Sequence, residues 1–239
     1  MMFHELESLF IRQVKKDAKK FSDDCTYLRN PKISSRPAFC LVAMEPSLIK
    51  WTVEEMEDAT SKGFINFLDS EEDFIVHYCA YRYLCNSSFA YHITDISKGA
   101  MHTAVARRNR AARYKEWLPL LDQELDLLGR PKVIALGIGT NKFLQEHKLS
   151  NLSGAVLHYS GRNGARFLVA LHSAPEGKEP DALEEKLREF TKKLMVHCGY
   201  DTSRINDHLQ KRFHRPLTDW KKGLFLTYRK RFLSFRKNG

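Results

Sequence analysis

The sequence predicts an α/β fold: a central, mostly parallel β-sheet flanked by helices as three α/β/α layers, followed by a basic helical C-terminal extension. Three observations carry this. Short apolar runs, each bounded by proline, glycine or polar residues, recur along the chain at the length of buried strands. Stretches of helical period separate them, and strands alternating with helices imply a parallel sheet. The 239 residues are 43% hydrophobic and 11% aromatic, enough for a sizeable core and too much for a disordered chain.

Taken in order, residues 5–21 read as an amphipathic helix, with Leu6, Leu9, Phe10, Val14, Ala18 and Phe21 on one side and Lys15, Lys16, Lys19 and Lys20 on the other. Prolines mark 30–37 as a loop. Residues 39–44, between Pro37 and Pro46, read as a first buried strand. Residues 51–62 read as a helix, and 70–84 as another whose first turn is the acidic Ser70-Glu71-Glu72-Asp73. A second strand is expected over 91–96, a long helix over 104–128, a third strand over 132–137 and a helix over 140–147. Residues 154–159 read as a fourth strand or edge piece, 166–172 as a fifth strand, and 180–198 as a helix.

Lys and Arg number 39 against 29 Asp and Glu, a net +10 with pI ≈ 9.4. The excess is concentrated. Residues 204–239 hold eleven Lys/Arg and two acids, leaving residues 1–203 nearly neutral. An anionic partner is expected, with nucleic acid ahead of a membrane surface. Phe225, Tyr228, Phe232 and Phe235 form a helical stripe in this segment. Around them Lys221, Lys222, Arg229 and Lys230 are candidates for phosphate contact; the plainer reading is docking of the stripe on the main domain with a solvated basic face, and both can hold at once.

The five cysteines form no C-x-x-C pair and are odd in number, which argues against a disulfide framework, a zinc knuckle or an iron–sulfur site. A reduced, cytoplasmic, monomeric protein without metal or cofactor is expected. The N-terminus lacks the layout of a signal peptide, and no apolar run approaches the ~20 residues of a membrane span. In α/β sheets ligands bind beyond the carboxyl ends of the strands. Met44-Glu45, Thr94-Asp95, Gly137-Ile138-Gly139 and His172 fall at such ends.

Four segments, in order, resemble the motifs of the uracil-DNA glycosylase superfamily: Ala43-Met44-Glu45-Pro46-Ser47, Ile93-Thr94-Asp95-Ile96-Ser97-Lys98, Val133-Ile134-Ala135-Leu136-Gly137 and Leu171-His172-Ser173-Ala174-Pro175. The resemblance spans roughly 36–200 and leaves the C-terminal segment outside. It implies an enzyme that flips a base out of double- or single-stranded DNA and hydrolyses its N-glycosidic bond, leaving an abasic site. Glu45 would stabilise the cationic sugar and hold the attacking water, and His172 would stabilise the departing base. Phe64 or Phe67 would stack on the base. The turn Gly137-Ile138-Gly139-Thr140 and Ser173 would hold phosphates.

The chain departs from the uracil-specific pattern at two positions. Asp95 stands where such members carry Asn. A carboxylate facing uracil O4 sets acceptor against acceptor, whereas it accepts from the N4 amine of cytosine. Ser47 stands where Asp-Pro-Tyr members carry Tyr, leaving space beside C5 of the base. Together they imply a cytosine with a 5-substituent such as methyl, hydroxymethyl or glucosylated hydroxymethyl. Such bases occur in bacteriophage DNA, so an antiviral role follows as an expectation. Alternatives are a uracil glycosylase of base-excision repair and a non-catalytic DNA-binding protein of the same fold. The wedge entering the vacated stack falls to Ala174 or Pro175, or to Arg162 or Asn163.

Overall fold

The computed structural model describes residues 2–46, 51–149, 152–160, 163–173 and 183–237. In chain order the strands are β1 (Cys25–Tyr27), β2 (Phe39–Ala43), β3 (Tyr91–Asp95), β4 (Gly99–Met101), β5 (Lys132–Leu136) and β6 (Leu152–Val156). The helices are α1 (Phe3–Phe21), α2 (Val53–Ser61), α3 (Glu71–Cys79), α4 (Thr103–Leu127), α5 (Ile138–Glu146), α6 (Gly164–His172), α7 (Leu183–His197), α8 (Thr202–Arg212) and α9 (Asp219–Lys237). Strands β3-β2-β5-β6 form one parallel sheet, and β1 pairs with β4 in a small antiparallel ribbon.

The period of the strands divides the core into two. Leu41, Ala43, Ile93, Ile134 and Leu136 face one side, where α3, α6, α7 and α9 supply Ile75, Phe167, Leu187 and Phe225. Cys40, Val42, Val133 and Ala135 face the other, filled by Phe10 of α1, Trp117 and Leu121 of α4, and Leu144 of α5. Alternate side chains of a strand point to opposite faces, so a sheet with both faces covered reads as a continuous apolar run. That is the three-layer α/β/α architecture the sequence predicts.

Local sequence sets the helix starts. The Thr52 hydroxyl accepts from Glu55 N at 3.2 Å while Glu55 reaches back to Thr52 N at 2.7 Å, a reciprocal cap on α2. Ser70 and Asp73 do the same for α3. Beyond Cys79 the helix widens into one π-helical stretch at Ala80–Leu84.

One expectation is corrected. Residues 166–172 form no fifth strand; they are the helix α6. Phe167 is fully buried while Val169 is 64% exposed, and Leu171, four residues on from Phe167, is half-buried. This is a helical pattern that a short apolar run does not reveal by itself. The C-terminal segment docks on the main domain by its aromatic stripe, one of the two readings that the sequence left open. Phe225, Tyr228 and Phe232 of α9 are at most 1% exposed and belong to the core that covers the sheet. A Cβ on Gly223 would lie 1.9 Å from the Phe167 carbonyl oxygen, so α6 and α9 cross with their backbones in contact and only glycine fits. The Tyr228 hydroxyl donates to Leu157 O at 2.7 Å, fixing α9 to the chain leaving β6.

Candidate active site

Parallel pairing brings the carboxyl ends of four strands to one rim. Ala43 of β2 lies opposite Asp95 of β3, and Leu136 of β5 lies opposite Val156 of β6. The rim therefore gathers Glu45, Asp95, Gly137 and His158.

The Glu45 side chain is 6% exposed and is held by α4. Arg110 donates from Nε at 3.1 Å and from Nη2 at 2.5 Å, both to Oε1. Arg113 Nη2 donates to Oε2 at 2.9 Å, and the Tyr114 hydroxyl donates to the same oxygen. Residues 110, 113 and 114 meet one carboxylate because three- and four-residue spacings share a helix face. Arg113 is fully buried; Arg110 is one-third exposed. The anionic carboxylate offsets the Arg110 charge and raises that guanidinium's affinity for its proton, outweighing burial, which acts the other way.

Asp95 is 2% exposed. Burial pushes its carboxyl up to about 8, against the Lys98 ammonium and the Asn66 hydrogen bond, with Glu45 and Glu124 adding to the rise. The group is therefore a neutral acid at pH 7. Asn66 Nδ2 donates to Asp95 Oδ2 at 2.8 Å and to Asn30 Oδ1 at 3.0 Å, and Asn30 in turn donates to Thr94 Oγ1 at 2.9 Å. With Oδ2 engaged as an acceptor, Oδ1 is the oxygen left to carry the proton.

Below Asp95 lies a buried ionic knot. Lys98 donates to the Asp95 carbonyl at 2.5 Å and to Glu124 at 2.6 Å; Thr94 donates to Glu124 at 3.0 Å, and His92 Nε2 lies 3.3 Å from it. Although burial acts to raise it, the Lys98 ammonium and the His92 and Lys98 contacts hold Glu124 down to about 2. The loop carrying Asn66 is braced from below. His77 Nε2 donates to Phe67 O at 3.0 Å, and the Tyr91 hydroxyl lies 3.0 Å from His77 Nδ1. Burial lowers His77 to about 3, so the ring is neutral and serves as a strut at Phe67, whose φ is +62°.

His158 stands two residues beyond β6, beside Gly137 at the end of β5. Gly137 has φ +117°, a conformation only glycine adopts freely, and a Cβ there would be 3.5 Å from His158 Cβ. The Ser160 N–H donates to His158 Nδ1 at 3.1 Å, and Asn163 Nδ2 donates to the His158 carbonyl at 2.7 Å. Burial lowers the imidazole's pKa against the pull of Glu45. The ring is thus neutral, with its proton on Nε2. It stacks on Tyr159, centroids 4.8 Å apart and planes at 10°.

A basic groove of about 380 Å³ runs between α4 and α5, lined by Arg107, Arg108, Arg110, Lys142, Gly139 and Met44 among others. Gly139 is exposed in this groove, but Thr140 is buried and donates its hydroxyl to Leu136 O at 3.1 Å. Thr140 caps the turn from within and offers no surface hydroxyl to a phosphate.

The remaining expected residues are dispersed. His172 and Ser173 are exposed at the C-terminal end of α6, off the strand rim. The histidine at a strand end is His158. Phe67 is 5% exposed and belongs to the core, while Phe64 packs on Trp51 with centroids 6.2 Å apart. Lys221 pairs with Glu71 and Glu72, Lys222 lies 3.3 Å from Asp219, and Arg229 lies over the Tyr83 ring. Lys230 is exposed. Ser47, Arg162, Ala174 and Pro175 lie outside the described residues. The sequence reading missed His158, Asn66 and the α4 arginines. A signal for the last exists: residues 103–115 hold Arg107, Arg108, Arg110, Arg113 and Lys115 and no acid.

No described helix is long and apolar enough to cross a membrane. The chain matches no model of a known protein family and no curated protein.

Proposed function

We propose that the protein is a DNA glycosylase of the uracil-DNA glycosylase superfamily, which flips a base out of DNA and hydrolyses its N-glycosidic bond. The observation that carries this reading is that one rim of the parallel sheet holds Glu45 past β2, its carboxylate paired with arginines, the buried Asp95 at the end of neighbouring β3, and a neutral His158 past β6, across β5. Hydrolysis breaks the bond from C1′ to the base, with the electron pair leaving on the base; water adds to C1′ and its proton ends on the base or solvent. Glu45 holds the water and opposes the positive charge on the sugar. His158, donating from Nε2, stabilises negative charge on the base at O2. A neutral imidazole suits this task, since it gives a hydrogen bond without first losing a proton.

Asp95 reads the far edge of the base. As an acid it donates to N3 of cytosine and accepts from the N4 amine, removing the repulsion that a carboxylate would meet at N3. With the small Ser47 in the first motif, this favours a 5-substituted cytosine of the hydroxymethyl or glucosylated kind, and a role against bacteriophage DNA. One observation favours a second reading. A neutral acid also donates to uracil O4 and accepts from N3–H, so the burial that raises Asp95 to about 8 makes uracil an acceptable base. Oligonucleotides carrying uracil, cytosine, 5-methylcytosine or glucosylated hydroxymethylcytosine, scored for abasic sites, separate the two. Release of modified cytosine alone supports the first, and release of uracil alone the second.

A further inference from the structure

The α4/α5 groove and the Glu45 carboxylate share two side chains, Arg110 and Tyr114, of which Arg110 carries the charge. Arg110 lines the groove, is one-third exposed there, and makes two of the four short contacts to Glu45. Arg113 and Tyr114, which make the others, are buried. In this arrangement two guanidiniums face one carboxylate, so the local charge is net positive, the wrong sign for a group meant to oppose a sugar cation. Beside Arg110, Arg107, Arg108 and Lys142 leave the groove strongly cationic against its one acid, Glu146, which lies 3.8 Å from Lys142. Its wall is the exposed backbone of Gly139, where a larger side chain would press on Met44 at 3.3 Å. The chemistry of this groove fits a phosphodiester.

We propose that the groove seats a backbone phosphate of the DNA strand, and that Arg110 turns from Glu45 to this phosphate as the strand binds. The carboxylate keeps Arg113 and Tyr114, which fix its orientation, and loses the surplus positive charge, so the local balance falls from net positive to neutral and Oε1 is freed. Arg110 is thereby a positioning residue that ties the activity of Glu45 to occupancy of the groove, and free enzyme holds its carboxylate masked. This inference rests on the glycosylase reading for the role of Glu45, but not for the binding of phosphate.

The test separates the two. Binding to a duplex bearing a tetrahydrofuran abasic analogue, followed by fluorescence anisotropy across a salt series, requires no base release. Arg110→Gln is expected to weaken binding about tenfold and to lower the slope of log K against log salt by up to about 0.9, the share of one phosphate; Arg108→Gln and Lys142→Gln are each expected to weaken binding with a smaller fall in slope, and Arg110→Lys to keep it. For Arg110→Gln, single-turnover release is expected to show the loss mainly in the DNA concentration needed for half-saturation, less in the rate at saturation. An unchanged salt slope for Arg110→Gln, or a loss confined to the saturated rate, overturns the proposal and leaves Arg110 a fixed partner of Glu45. Intact groove binding without an abasic site on any oligonucleotide overturns the glycosylase reading instead.

Discussion

Ser160 donates its backbone N–H to Nδ1 of His158 at 3.1 Å, which decides which nitrogen of that ring holds the proton. A backbone N–H can only donate, so Nδ1 accepts and Nε2 carries the hydrogen. Replacing this histidine is the direct check on the leaving-group role. His158→Ala is expected to slow base release by roughly 10²–10³-fold, the cost of one donor to a developing oxyanion. His172→Ala, on an exposed helix end, is expected to stay within a few-fold of wild type. The reverse ranking, measured in single-turnover cleavage assays, would return the role to His172.

Glu45→Gln removes the charge and keeps the volume. Release is expected to fall below detection while duplex binding persists. The variant also leaves the buried Arg113 without its counter-charge, a loss of about 3–5 kcal/mol by the usual cost of breaking a buried pair. A lowered Tm should therefore accompany the loss of activity. Wild-type-like release from a folded Glu45→Gln protein would remove Glu45 from the mechanism.

Asp95 carries a pH signature. Its folded pKa, about 8, lies above the value near 3.9 expected in the unfolded chain. The native state then holds a proton the unfolded state has lost, so this group's stabilising contribution is complete below about pH 4 and disappears as pH rises through 8. Base release is expected to decline through the same upper limit as the acid becomes a carboxylate. Asp95→Asn cannot ionise: its decline near pH 8 should vanish, and its Tm should gain on wild type more at pH 9 than at pH 5. A pH–rate profile unchanged by Asp95→Asn would remove the acid from base recognition.

Much of the fold is legible in the sequence. The runs at 39–44, 91–96 and 132–137 became strands because residues buried on both faces need no alternation, and Pro46 and Gly137 follow the first and the third closely. The rim residues Glu45, Asp95 and Gly137 followed directly from those ends. The fourth rim residue did not. Residues 166–172 are as apolar as a strand, and only the placement of α9, with Gly223 against Phe167, shows that they form a helix. Once that run is taken as a strand, its terminal His172 displaces His158. Nor could sequence spacing show that Arg110, Arg113 and Tyr114 converge on a residue 65 to 69 positions away. The charge count misled similarly: the basic C-terminal helix spends Lys221 on Glu71 and Glu72, while the acid-free first half of α4 faces the groove.

The burial of α9 makes a structural prediction. Phe225, Tyr228 and Phe232 each contribute roughly 1.5–3 kcal/mol by leaving water, comparable in sum to the whole stability of an ordinary domain. A chain truncated before Asp219 is expected to lose cooperative unfolding, read by circular dichroism or calorimetry. A truncate with a sharp transition near the full-length Tm would show that α9 is dispensable.

The central claim is that the rim of Glu45, Asp95 and His158 releases a base from DNA, and the most direct measurement is the formation of abasic sites. Purified protein is incubated at pH 7 with duplex and single-stranded oligonucleotides bearing one uracil, cytosine, 5-methylcytosine, hydroxymethylcytosine or glucosylated hydroxymethylcytosine, then treated with alkali and resolved on a gel. Strand breaks at a 5-modified cytosine, absent with Glu45→Gln, are the predicted result; no break at any base, or breaks that persist in Glu45→Gln, would contradict it.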